Sequence, residues 1–190
     1  MNRPIDSIPP VVDLDQLLAE FYTPAELVDL GSFAAVDGES VAQPHRQLLD
    51  HQSHMTVTVE SYFHSPVDVH VLRSRMDHQW YVREILLETQ RDRTIVQYGI
   101  VRLRYAMLAE PVWKEIESRS KPLGRVLIDH DVMRQVELVG LWSVQCGKSL
   151  ASFFNVPQQT KTYGRTARIF CYGEPAIELL EIVRPSGESL

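Results

Sequence analysis

Tyr81-Val82-Arg83-Glu84-Ile85-Leu86-Leu87-Glu88 decides how this chain folds. The segment combines aromatic and β-branched residues with no glycine or proline, a composition that fits a pleated sheet. Successive side chains along a strand point to opposite faces. Arg83 therefore shares a face with Tyr81, Ile85 and Leu87, while Glu84 and Glu88 share the other. The flanking sequence keeps the same period: Val67, Val69 and Val71 alternate before it, and Ile95 to Tyr105 follows as a β-branched and aromatic run. Val132 to Val144, Thr162 to Tyr172 and Ala176 to Arg184 extend the pattern to six strands. The last two are joined at Tyr172-Gly173-Glu174-Pro175, a hairpin signal.

Upstream the period changes to that of helices. Leu14, Leu17, Leu18, Phe21 and Tyr22 recur at helical spacing, and Thr23-Pro24-Ala25-Glu26 opens a second helix with a cap, a first-turn proline and an acidic residue. His45 to Phe63 reads as a further, partly helical segment ending at His64-Ser65-Pro66. Pro111 to Arg119 is a short amphipathic helix, and Lys121-Pro122-Leu123-Gly124 reads as a turn. Residues 1–12, with Pro4, Pro9 and Pro10, are taken as a flexible N-terminal segment. Residues 13–190 then form one domain. Helices first and short-linked strands afterwards predict an α+β fold: a six-stranded antiparallel sheet with helices packed on one face around a buried ligand cavity.

Charges fall on the apolar side of these strands. In Ala176 to Arg184 the alternation puts Glu181 with Ile177, Leu179 and Val183. In Tyr163-Gly164-Arg165-Thr166-Ala167 it puts Arg165 with Tyr163 and Ala167. A guanidinium or a carboxylate inside a core costs several kcal/mol unless it is paired, solvated or ligand-bound. Two arrangements satisfy the count: a structural Arg83–Glu181 salt bridge, or a cavity in which Arg83 grips an anion and Glu181 handles a proton, with Arg165 as a second cation.

The composition narrows the function classes. Of 190 residues, 44% are hydrophobic and 23% charged, which describes a folding chain rather than a disordered one. Lys and Arg number 19 against 25 Asp and Glu, a net charge of −6, poor electrostatics for a nucleic-acid partner. No apolar stretch approaches the length of a membrane span, so the sequence predicts no membrane partner and a cytoplasmic location. Cys146 and Cys171 read as small buried apolar residues. His45, His51 and His54 lack the oriented partners of a metal site and read as surface or pocket-rim histidines; no metal ligand is assigned.

Four ordered blocks resemble the chorismate pyruvate-lyase family: Tyr81 to Leu87, Pro122-Leu123-Gly124-Arg125-Val126-Leu127, Gly164-Arg165-Thr166, and Glu181-Ile182-Val183-Arg184-Pro185. Met55-Thr56 followed by Glu60 is similar to the family's helix start, so the likeness runs from about residue 45 to 185. It implies a buried aromatic-acid pocket and cofactor-free cleavage of chorismate to 4-hydroxybenzoate and pyruvate, a step of aromatic acid biosynthesis. The family's ligand-gripping arginine falls on Arg83 and its catalytic carboxylate on Glu181. The backbone N–H groups of Met55 and Leu123 fall where the ring carboxylate is held. Where ubiquinone-pathway members carry an arginine, this chain reads Gly99-Ile100, so the second carboxylate anchor must come from elsewhere or be missing. Two alternatives stand beside the lyase: a non-catalytic aromatic-acid sensor domain of the same fold, and a lyase for a related enolpyruvyl cyclohexadiene carboxylate. Either way the partner is a small molecule, and the chain acts as a monomer or a dimer.

Overall fold

A computed structural model describes residues 12–186; the rest of the expected N-terminal segment and residues 187–190 lie outside the described residues. Val12, placed by sequence in that segment, is buried in the core. Two short helices lead in, α1 (Leu14–Ala19) and α2 (Pro24–Leu30). Asp13 caps the first, accepting from the Asp15 N–H at 2.9 Å, and a Thr23/Glu26 capping box opens the second. After β1 (Gly31–Val36) come α3 (His45–Leu49) and α4 (Met55–Phe63). The meander β2 (Val67–Met76), β3 (Tyr81–Thr89) and β4 (Ile95–Leu103) leads to α5 (Glu110–Glu117) and α6 (Leu123–Asp129). The chain closes with β5 (Arg134–Cys146), α7 (Lys148–Phe154), β6 (Lys161–Cys171) and β7 (Glu174–Val183).

The α+β fold and its antiparallel sheet are as the alternation predicted, but the sheet has seven strands, in the order β1-β5-β6-β7-β4-β3-β2. The additional strand is β1, a six-residue edge strand whose half-buried Gly-Ser-Phe-Ala-Ala-Val carries little β signal. Two helices also arise where sequence placed loops. Pro122 does not end a helix; it stands at the N-cap of α6, with Gly124 inside the first turn. α7 fills part of the segment between β5 and β6.

Register fixes the faces. Arg83 lies opposite Val101, and Gly99 lies opposite both Ile85 and Glu181, which in turn faces Arg165. Arg83, Glu181 and Arg165 therefore share one face. Over it pack α3 and α4, through Leu48, Leu49, Met55 and Val59, and α5 and α6, through Val112, Ile116, Val126 and Leu127. The other face is covered too. Leu14, Leu17 and Leu18 of α1 and Leu150 and Phe154 of α7 meet Val82, Leu86, Tyr98 and Leu180. Helices on both faces explain why β3 is buried from Tyr81 to Leu87 without alternation. Glu84, 2% exposed on the second face, is satisfied by the Tyr98 hydroxyl and Arg73 Nε, each at 2.7 Å, and by the Tyr22 hydroxyl. Among the described residues no helix is long and apolar enough to cross a membrane.

Candidate functional site

On the Arg83 face the helices meet the sheet in two groups, and a small cavity remains between them. Its floor is Arg83 and Ile85 of β3, Gln97 and Gly99 of β4, Arg165 of β6, and Leu179 and Glu181 of β7. Its roof is the start of α4, His54-Met55-Thr56, and the start of α6, Pro122-Leu123-Gly124. The five residues singled out by sequence, Met55, Arg83, Leu123, Arg165 and Glu181, all line it. Two glycines permit this approach. A Cβ on Gly124 would stand 2.8 Å from Thr56 Oγ1, so only glycine lets the two helix starts come together. A Cβ on Gly99 would meet the Leu180 carbonyl at 3.1 Å and would rise from the floor midway between Arg83 and Gln97. Neither α4 nor α6 has a side-chain cap on its first-turn amides.

Arg83 is fully buried, and Nε, Nη1 and Nη2 all lack a hydrogen-bond partner among the described residues. Burial pulls the guanidinium below its ordinary value, opposed in part by the neighbouring Tyr81 hydroxyl, while Arg119 adds a smaller lowering. That hydroxyl is itself buried and without a normal hydrogen bond. Since an arginine stays protonated in proteins, Arg83 is a buried cation with no counter-ion among the described residues.

Glu181 pairs elsewhere. Arg165 Nε donates to its Oε2 at 2.7 Å, and Gln97 Nε2 approaches its Oε1 at 3.5 Å. The rest of the Arg165 guanidinium holds the segment after α3, donating to the His51 carbonyl at 2.9 Å and the Ser53 carbonyl at 3.1 Å. The Arg83–Glu181 salt bridge that was one of the two arrangements open to the sequence does not form; Glu181 pairs with Arg165 instead, which takes up that second cation. His54 closes one end of the cavity. It accepts from Arg134 Nε at 2.6 Å, and burial, with Arg134 and Arg165 adding, lowers its pKa to about 4.

Sequence reading missed Gln97, Tyr81 and Thr56 as cavity or near-cavity groups, and had His54 only as a surface or pocket-rim residue. Gln97 is the most informative: 2% exposed, with Oε1 lacking any partner among the described residues. Its signal was its place two residues before Gly99, but only the β3–β4 register puts that face under Arg83.

The cavity measures about 30 Å³, room for roughly two waters. A larger hollow lies elsewhere, an open groove of about 820 Å³ lined by Leu14, Leu18, Leu27, Val28, Phe33 and Trp142. None of the buried polar atoms lacking a partner belongs to its lining. The unpartnered buried groups Arg83 and Gln97 line the small cavity. His45, His51 and His54 do not gather, and among the described residues no three metal-ligating side chains cluster. Cys146 and Cys171 are free and buried, and burial raises both thiols to about 11, so neither is a nucleophile.

No protein-family model matches this chain, and no curated protein matches it. Solved structures do. The chain is similar to the possible transcriptional regulator YydK from Bacillus subtilis, at 12% identity over 92% of this chain and 83% of that one, with a TM-score of 0.52. It is similar to PhnF from Mycobacterium smegmatis, at 10% identity over 70% of this chain and 64% of that one, TM-score 0.52. The effector domain of that protein matches at 10% identity over 69% of this chain and 88% of that domain, TM-score 0.52. At such identities the likeness establishes the fold, the chorismate lyase-like fold that these regulator domains share.

These findings correct the expectation of an enzyme. A lyase converting chorismate to 4-hydroxybenzoate and pyruvate, with Arg83 and Glu181 as catalytic residues and a place in aromatic acid biosynthesis, is overturned: the structures of like fold are a possible transcriptional regulator, PhnF and the effector domain of PhnF, and none is named as a lyase. The geometry agrees. Glu181 is held by Arg165 at 2.7 Å, and the cavity, at about 30 Å³, has no room for a ring without movement of its walls.

Proposed function

We propose that this chain is a ligand-binding sensor domain that holds a small organic acid at Arg83 without transforming it. One observation carries the reading: a fully buried guanidinium with three unpartnered nitrogens on the floor of a cavity. Leaving such a charge unpaired is costly, and a carboxylate can answer it with two parallel charge-assisted hydrogen bonds. The first-turn amides of Met55 and Leu123, uncapped above the same cavity, are the supporting donors.

The cavity's size fits a sensor better than a preformed catalytic pocket. A ligand larger than two waters enters only if the starts of α4 and α6 part, so it binds one arrangement of the roof and not the other. Differential affinity of that kind is what lets a ligand shift a conformational equilibrium. A cytoplasmic setting fits the two free, buried cysteines.

The test is thermal unfolding with benzoate and 4-hydroxybenzoate as probe acids. Either should raise the melting temperature of the wild type and leave Arg83→Met unmoved, because removal of one bidentate contact in a dry site costs about 2–5 kcal/mol of binding. Chorismate incubated with the protein should be recovered unchanged by chromatography. Equal stabilisation of wild type and Arg83→Met would remove the acid site.

A further inference from the structure

Of the eight buried polar side-chain atoms that lack a partner among the described residues, four line this one cavity: the three Arg83 nitrogens and Gln97 Oε1. They are opposite in character, donors at one end and an acceptor at the other. We propose that Gln97 reads a hydrogen-bond donor, a hydroxyl or an ammonium, on the end of the ligand remote from the carboxylate held by Arg83. This rests on the acid-sensing reading above and names the ligand class: an acid with a donor at its far end.

The orientation of the Gln97 amide follows from its neighbour. Nε2 stands 3.5 Å from Glu181 Oε1, and Glu181 is held by Arg165 at 2.7 Å. A carboxylate paired with a guanidinium only accepts, so the amide must turn its N–H₂ toward Glu181. Oε1 is then left at the cavity wall, and a buried carbonyl without a donor is a costly arrangement that a ligand hydroxyl or ammonium relieves. Glu181 already has a donor at each oxygen, Arg165 at 2.7 Å and Gln97 at 3.5 Å, whereas Gln97 Oε1 has no donor among the described residues.

Register supplies the spacing. In the β3–β4 pair Arg83 lies opposite Val101 and Gln97 lies opposite Leu87, so the two poles are four residues apart along β4, about 13 Å between backbones. Gly99 sits between them with no side chain. A ligand can thus lie across Gly99 with its carboxylate under Arg83 and its donor under Gln97, once the roof has moved.

Calorimetric titration with benzoate, 4-hydroxybenzoate and 4-methoxybenzoate separates these roles, because the three share a carboxylate and a ring and only one carries a donor. The wild type should bind 4-hydroxybenzoate at least tenfold more tightly than either of the others. In Gln97→Met, which keeps length and loses the acceptor, the three affinities should converge to within threefold. A wild type that prefers none of the three while binding them in an Arg83-dependent way overturns the role of Gln97 and leaves the acid site standing. So does a Gln97→Met that keeps the tenfold preference. Binding that is unchanged in Arg83→Met, or no binding of any of the three, overturns the acid-sensing reading and this inference with it. The methoxy comparison is made on the wild type, so it decides the matter even if Gln97→Met does not fold.

Discussion

Arg83, Arg165 and Glu181 sit on one face of one sheet, yet their surroundings give them opposite energetic signs. Arg165 and Glu181 are a buried pair with further hydrogen bonds on the guanidinium, so removing one partner leaves a stranded charge. Glu181→Gln should lower stability by about 3–5 kcal/mol in urea unfolding. The Arg83 nitrogens make no hydrogen bond among the described residues. Arg83→Met, with a similar stem and no charge, should raise stability by at least about 1–3 kcal/mol, the penalty of an unsatisfied buried group. A destabilised Arg83→Met would mean that the guanidinium is already satisfied, and the cavity would lose its claim to a ligand. Alternation along β3, β6 and β7 was enough to put each charge among apolar neighbours on its own strand. It was not enough to choose the pairing, because a bulge between Ile169 and Phe170 shifts the β6–β7 register by one residue and brings Arg165 opposite Glu181 rather than Leu180. A bulge leaves no mark in a pattern of period two until both strands are aligned.

The elements that sequence reading lost are those whose signal is local and weak. β1 is six half-buried residues at an edge, α7 is seven residues long, and α6 begins with Pro-Leu-Gly, which reads as a turn until the proline is recognised as an N-cap. That last misreading concealed the roof of the site, since the α6 start lies directly over the Arg83 face. Its position depends on Gly124. An alanine there would bring a Cβ to 2.8 Å from Thr56 Oγ1 and 3.2 Å from Thr56 Cβ, and Thr56 is a buried β-branched side chain with little room to turn. Gly124→Ala should therefore destabilise by about 1–3 kcal/mol through overpacking, despite alanine's better helix propensity. Thr56→Ala in the same chain should recover part of that loss, and this rescue, read by thermal unfolding, distinguishes a clash from a backbone effect. If Gly124→Ala is neutral alone, the two helix starts are not in the close contact described.

Across the whole molecule the two faces of the sheet handle polarity differently. The α1 and α7 face buries Glu84 in a closed network with Tyr22, Tyr98 and Arg73, whereas the α3 to α6 face combines an unpaired cation with histidines that burial keeps neutral. His45, His51 and His54 all have lowered pKa values, with burial the first cause in each case. His54 falls to about 4, with Arg134 and Arg165 adding to burial; Arg165 also bears on His51, where Asp50 and two backbone contacts partly oppose it. A histidine whose folded pKa lies below its unfolded value of 6.5 takes up its proton more readily in the unfolded chain. Stability then rises with pH between the two values and is lost as pH falls from about 6.5 toward 4. Exposed carboxylates with lowered values, such as Asp37 and Asp77, contribute stability that is present above the ordinary carboxylate range and is lost only as pH falls through it. The histidine window is therefore separate and measurable. Urea unfolding at pH 7.5, 6.0 and 5.0 should show falling stability across the series. His54→Gln, which keeps an acceptor for Arg134 and cannot be protonated, should flatten that slope while leaving stability at pH 7.5 little changed. An unaltered slope in His54→Gln would assign the loss to His45 and His51 and remove His54 from its place as the neutral acceptor at the cavity's end.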